Sequence, residues 1–308
     1  MQAPTLVGTR DVRTVFMTTD TVETDHEVPS TTELIAQFGD EYLSINSLFQ
    51  FCFVPGGRLS LLKELTLEEV WGTNNFVLLK YLAVHIRLAL EQDRYVWNGE
   101  QIVMTAGRLT TPTGTPIFIG LVRNASPGEN PWVLNWVGER PSCPNLPHPA
   151  DLGEWPELDP RKEILIACDL SDEERRARRP VIGDLPVVAQ MATLAGAIDW
   201  SIRRGLAVRQ VHGGGRGWFV PIHLTSREDL TLAPDLVAPV LVQEDRLAVR
   251  AFLDPHVAYS PARAVVERWE QLPAWLLDAW DAVTEGIQDD VRANEGDDDD
   301  EEDDDDDE

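Results

Sequence analysis

Positive charge is scarce in this chain. Lysine and arginine number 26 against 53 aspartates and glutamates, a formal net charge of −27. The C-terminal stretch from Glu295 to Glu308 holds 13 of the acids and no base, which leaves 40 acidic against the same 26 basic residues in the rest. Even without its tail the body is acidic. This argues against broad, sequence-independent binding to duplex DNA, though it leaves room for a local basic groove. Cysteine is scarce too. Cys52, Cys143 and Cys168 lie far apart, are odd in number and show no C-x-x-C spacing, which argues against a disulfide framework or a zinc knuckle. No apolar run approaches the roughly 18 residues that suggest a membrane span. The first residues, MQAPTLVGTRDV, lack a charged region followed by an apolar one, so no secretory signal is expected. A soluble cytoplasmic protein without a membrane partner is the expectation.

Catalytic signatures are missing as well. There is no G-x-x-x-x-G-K-[ST], no H-E-x-x-H and no G-x-S-x-G, so no catalytic residue, metal site or cofactor is assigned. Tyrosines number four against ten tryptophans. Most of those indoles are expected in the core, because each buries a large area and has only one donor to satisfy.

The pattern that remains predicts an α+β fold: mixed or antiparallel sheets with several packed helices, then a disordered acidic C-terminal tail. Residues 1–44 read as an N-terminal arm and 45–124 as a helix plus a small β-sheet subdomain. Residues 125–160 read as a Pro/Trp-rich connector, or as an extended segment packing its tryptophans across the body. Residues 161–287 read as an α+β core with a C-terminal helix, and 288–308 as the tail. Within these, TNNFVLLKYLAVHIRLALEQ (73–92) has helical spacing. Asn98-Gly99 marks a hairpin between Tyr95–Trp97 and Ile102–Thr105. This helix and sheet resemble a winged-helix outline, but no exposed basic recognition helix accompanies them.

The clearest helix is GDLPVVAQMATLAGAIDWSIRRG. Asp184 suits its N-cap and Gly205 its end, and the expected buried stripe is Val187, Met191, Leu194, Ala195, Ile198 and Ile202. Four strands are expected next, pairing around the glycine run 213–217 and around Glu244-Asp245-Arg246. Pro273 kinks or divides the last helix, whose expected apolar face is Leu272, Leu276, Ala279 and Val283.

The stretch QVHGGGRGWFVPIHL (210–224) has the look of a site. It lacks the lysine of a phosphate-binding loop and opens a strand rather than a helix, so a hairpin loop is the simpler reading. A loop that also presents Arg216 to an anion is compatible with it. Arg203, Arg204, Arg209 and Arg216 follow one another closely, interleaved with Trp200 and Trp218. Arginine beside a flat aromatic is how single-stranded nucleic acid or a nucleotide is held, with phosphate on guanidinium and base on ring. Helix-end charges and a strand with one exposed face would give the same spacing. DEERRARRP (172–180) reads mainly as a solvated helix.

Seven segments in order resemble the bacterial family called domain of unknown function 3825. They are FCFVP, LLKYLAVHIRLALEQDR, AGRLTTPTGTPIFIGLVRN, DPRKEILIACDL, LAGAIDWSIRR, the spacing over 218–241, and VAYSPARAV. They cover roughly residues 45–268. Phe51, Pro55, Gly107, Leu109, Asn124, Gly196, Ala197, Pro221, Ala258, Tyr259 and Arg263 stand at matching positions. The resemblance implies an α+β domain without an established activity. Members joined to RNA-binding modules imply an RNA-related role by association. The chain departs from the family at Gly215-Arg216-Gly217 before Trp218, and around His256–Arg263, where paired asparagines are lost while Tyr259 and Arg263 survive.

Three functions stay open. The first is a non-enzymatic RNA- or nucleotide-binding regulatory protein using Arg203, Arg204, Arg209, Arg216, Trp218, Tyr259 and Arg263. The second is a protein-interaction factor whose acidic tail engages a basic partner. The third is an enzyme acting on a nucleotide or phosphorylated substrate through Asp199, His212 or His256.

Overall fold

The computed structural model describes residues 29–39, 44–126, 130–143, 145–170, 181–212 and 215–295. Positions 1–28, the 172–180 run, Gly213-Gly214 and the acidic tail beyond residue 295 lie outside the described residues.

The helix expected over 73–92 forms as Phe76–Glu91. In chain order the first helices are α1 (Thr31–Phe38), α2 (Ile45–Phe51), α3 (Gly56–Leu65) and this one, α4. It starts late because Asn74 and Asn75 take positive φ, a conformation asparagine tolerates better than most residues. Its buried residues occupy every side, from Val77 and Leu78 through Tyr81, His85 and Ile86 to Leu90. A helix apolar all round belongs inside a core, so α4 is unsuited to lying in a nucleic-acid groove. α1 falls within the stretch read as an arm. Ser30 caps it, accepting from the Glu33 N–H, and Leu34 and Phe38 are wholly buried in the core that includes α4.

Strands β1 (Cys52–Phe53), β2 (Tyr95–Trp97), β3 (Gln101–Thr110), β4 (Pro116–Arg123) and β5 (Trp132–Gly138) form the first sheet, in the order β1-β5-β4-β3-β2. Only β1, against β5, is parallel. β5 comes from the stretch read as a connector. Its Trp132 is almost fully buried beside Phe51 and Trp97.

β6 (Glu163–Ile166), β7 (Val208–His212), β8 (Gly215–Ile222), β9 (Leu236–Val242) and β10 (Arg246–Val249) form the second sheet, in the order β6-β10-β9-β8-β7. Here β6 is the parallel edge, and the two hairpins pair as their turn residues predict. The architecture is α+β, with two mixed five-stranded sheets and seven α-helices among the described residues.

Helix α5 (Val187–Arg203) covers the second sheet with Leu194, Ala197, Ile198 and Ile202. Its start differs from expectation. Pro186, not Asp184, holds the N-cap position, and Val187 and Met191 are exposed. Gln190 and Ser201 are buried in their place. The Gln190 amide donates to the carbonyls of Gly183 and Leu185, and the Ser201 hydroxyl donates to the Pro221 carbonyl at 2.6 Å. Polar side chains can occupy a buried face when backbone acceptors wait for them, which rotates the stripe away from its apolar reading. Gly205 at φ +67 ends the segment as expected.

Pro273 does divide the last helical region. It leaves α6 (Tyr259–Arg263), a 3₁₀ turn at Trp269–Gln271, and α7 (Ala274–Glu295). Leu272, Leu276 and Ala279 are buried, whereas Val283 is exposed. α6 packs against α4 on one side and β7 on another, and so ties the second sheet to the first core.

Gly107 lets β3 meet α4. It sits at φ +63 where the β3–β4 register shifts, and a Cβ there would lie 2.5 Å from the His85 ring and 2.8 Å from that of Tyr81. Gly107→Ala combines a left-handed backbone with a clash, and is expected to cost about 3 kcal/mol in urea denaturation. His85 is sealed. Its Nε2–H donates to the Ala264 carbonyl at 2.9 Å, while Nδ1 has no partner. Burial, helped by the Arg108 and Arg263 charges and opposed by the Ala264 bond, pushes its pKa down to about 3. A histidine held neutral in the fold but titrating near its ordinary value when unfolded stabilises above pH 6.5, and that stability is lost as pH falls from 6.5 toward 3. Between pH 7 and pH 5 the loss from this group is about 2 kcal/mol. His85→Gln is expected to flatten the dependence of unfolding free energy on pH by that amount, whatever its effect at pH 7.

Candidate functional site

The β7–β8 hairpin sets Arg209 opposite Trp218 and Val211 opposite Arg216, so both arginines and Trp218 share one sheet face. The chain between Asp151 and Pro156 lies against this face. It is anchored at one end by Gln92, whose amide donates to the Asp151 carbonyl at 2.7 Å and accepts from the Asp151 N–H at 2.8 Å. At the other end the Trp218 Nε1–H donates to the Pro156 carbonyl at 2.9 Å. Trp155 is thereby brought beside both arginines. The Arg209 guanidinium lies 5.5 Å from the Trp155 ring and 5.9 Å from that of Trp218, and Arg216 lies 5.9 Å from Trp155. Gly153 makes the crossing possible, since a Cβ there would stand 2.5 Å from Nη2 of Arg216.

Both arginines are exposed, and neither has a carboxylate partner among the described residues. In a chain with twice as many acids as bases this is unusual. Beside them runs a groove of about 940 Å³, with Arg209, Trp218, Trp275 and Gln271 on its walls and Arg108 reaching in from β3. Arg108 stands 3.6 Å from Glu267, and its Nε is buried without an acceptor. The volume falls in the usual range for a small-ligand site, and the mix of indole and guanidinium suits a flat anion.

The other expected site residues lie elsewhere. Arg203 is engaged by Asp199, one turn before it, at 2.8 Å. Arg204 lies 3.9 Å from the Trp200 ring, and Arg227 lies 4.4 Å from the same ring. Tyr259 and Arg263 form a buried cluster with Glu69. The Arg263 Nε–H donates to Glu69 at 2.8 Å, and the Tyr259 hydroxyl donates to the same carboxylate at 3.0 Å. Arg263 also lies over Trp71 and Tyr81. Burial raises the Glu69 pKa against the pull of Arg263, and burial together with Glu69 raises that of Tyr259. Burial opposes the Arg263 charge, but Glu69 holds it on.

Asp199 is engaged by Arg203, His256 sits on the 3₁₀ turn Pro255–Ala258, and no contact joins them among the described residues. The side chain of His212 lies outside the described residues. No group of three potential metal ligands occurs among the described residues, and none of their helices is long and apolar enough to cross a membrane.

Trp155, Arg108 and Glu69 carry no signal in the sequence. Trp155 is remote from Trp218 along the chain, inside a proline-rich stretch with no periodicity. Gly153 beside it is the nearest available hint. If the Trp218 donor pins this segment, Trp218→Phe keeps an aromatic ring, though a smaller one, and removes the donor to the Pro156 carbonyl. The loss of about 1 kcal/mol should speed amide exchange over residues 153–157 about fivefold, with the β8–β9 ladder unchanged.

No family model, curated protein or solved structure matches the chain, so the resemblance to domain of unknown function 3825 rests on the quoted segments alone.

Proposed function

We propose that this protein binds a nucleotide unit, free or at the end of single-stranded RNA, on the β7–β8 face, and acts as a binding protein rather than an enzyme. The observation that carries the reading is the exposed pair Arg209 and Arg216, unpaired with any carboxylate among the described residues and backed by Trp155 and Trp218. Two guanidiniums offer a phosphate charge-assisted hydrogen bonds, and a base stacks on the Trp218 ring or on a guanidinium plane. The indoles give each guanidinium a cation–π contact on one side and leave the other side open to a ligand. The adjoining groove with Arg108 receives the remainder of the ligand. The acidic body keeps this binding local and excludes long tracks of phosphate contacts.

The test is anisotropy of a labelled single-stranded RNA of about eight nucleotides, with mononucleotides as competitors. Arg209→Ala/Arg216→Ala is expected to weaken binding at least about tenfold. It should also lower the slope of log affinity against log salt by about 1.4, the value for two phosphate contacts on a single strand. Competition by a mononucleotide identifies the free nucleotide as sufficient. Absence of binding, or equal affinity and salt slope in the double variant, refutes the reading.

A further inference from the structure

A second cavity, of about 790 Å³, opens on the far side of the segment that forms the wall of the first. Its chemistry is opposite. Aromatic rings line it: Trp71, Tyr259, Trp269 and Trp280. Two of the indoles have their donors turned to backbone, Trp269 to the Glu68 carbonyl and Trp280 to the Val70 carbonyl, each at 3.1 Å. What these two rings have left to offer a ligand is π-surface. Trp280 is also stacked on Tyr259 at 4.4 Å and 7°, which holds both rings rigid. Gly72, at φ +72, lets the chain pass within contact of Trp280, where a Cβ would lie 3.1 Å from the ring.

Four carboxylates border this aromatic box, against one ammonium from Lys63. Glu69 is neutralised by Arg263, and Glu270 is paired with exposed Arg268 at 2.8 Å. Glu68 and Asp281 keep carboxylates without a cationic partner among the described residues. Asp281 acts on the interior, since its charge contributes to the raised pKa of Tyr259. Trp71 is 2% exposed and lines the cavity, but the Arg263 guanidinium already lies 5.3 Å from its ring and its free Nε1–H seeks an acceptor, so the faces left for a cation are those of Trp269 and Trp280. Ring faces with a negative quadrupole, enclosed by uncompensated carboxylate, attract a positive charge that is weakly hydrated. A metal ion fits poorly, since it demands several oxygens at once, and no cluster of three metal-ligand residues occurs among the described residues.

We infer that the cavity between residues 67–73 and the Trp269–Thr284 region is a binding site for an alkylammonium group, seated against the indoles and balanced by Asp281 and Glu68. This site is separate from the arginine face and does not depend on its proposed role. The group is either a free organic amine or the methylated lysine side chain of another protein, since both present the same chemistry.

Calorimetry on the full chain at near-physiological salt tests the inference, with choline, a trimethyllysine peptide and 3,3-dimethylbutanol, the uncharged isostere of choline. Saturable binding of choline or the peptide is expected, with no detectable binding of the neutral isostere. Asp281→Asn, at an exposed position, should weaken it about tenfold, and Trp269→Leu about fivefold. The tighter of the two cations identifies the source. No binding of either cation, equal binding of the isostere, or unchanged affinity in Asp281→Asn overturns the assignment. Circular dichroism melting of both variants separates a lost contact from a lost fold.

Discussion

The buried pair of Glu69 and Arg263 is the constraint on which the rest of the molecule depends. Its members are far apart in the chain and both almost fully excluded from solvent. A charge so placed cannot be left alone, and removing one partner of such a pair characteristically costs about 3–5 kcal/mol. Arg263 therefore holds α6 to the chain just before α4, and α6 in turn carries the edge of the second sheet. The same guanidinium lies over Trp71 and Tyr81. Tyr81 gives its hydroxyl oxygen to the Arg108 N–H at 2.7 Å, directly after the left-handed Gly107. One ion pair thus fixes the position of β3, α4 and α6 together.

That arrangement places two cavities of opposite character on either side of Val265–Asp281. Val265, Gln271 and Trp275 face the arginine groove, while Trp269, Trp280 and Asp281 face the acidic aromatic one. The helical period explains the division. Trp280 and Asp281 stand five and six positions after Trp275 on α7, on another side of the helix, so one amphipathic segment serves two surfaces. Glu69 of the buried ion pair lines the acidic cavity, and the segment between Val265 and Asp281 borders both.

Much of the fold was legible because its signals are local. Asn98-Gly99 and the glycine run marked hairpins, Pro273 marked a break, and the spacing of Phe76 to Leu90 marked a helix. Local signals failed where a side chain found a distant partner. Gln190 and Ser201 reversed the polarity of a helix face because carbonyls outside the helix accept their donors. Trp132–Gly138 looks like connector because it sits in a proline-rich stretch, with Pro127, Gly128 and Pro131 just before it, and its place between β4 and the distant Cys52–Phe53 shows only in the folded sheet. Among the site residues, Arg209, Arg216 and Trp218 fall together because a hairpin keeps sequence neighbours in register. Tyr259 and Arg263 read as part of the same site but stand with Glu69, since nothing in a sequence says which of several acids will be buried beside a given arginine.

By itself, then, the sequence determined what depends on short range and on composition: the acidic balance, the turns, the amphipathic segments, the α+β character and the arginine–tryptophan hairpin. Tertiary structure alone decided which charges are satisfied. Ion pairs, cation–π contacts and cavities depend on distances between residues widely separated in the chain, and on how much water is excluded around them. Both quantities appear only once the sheets and helices have packed.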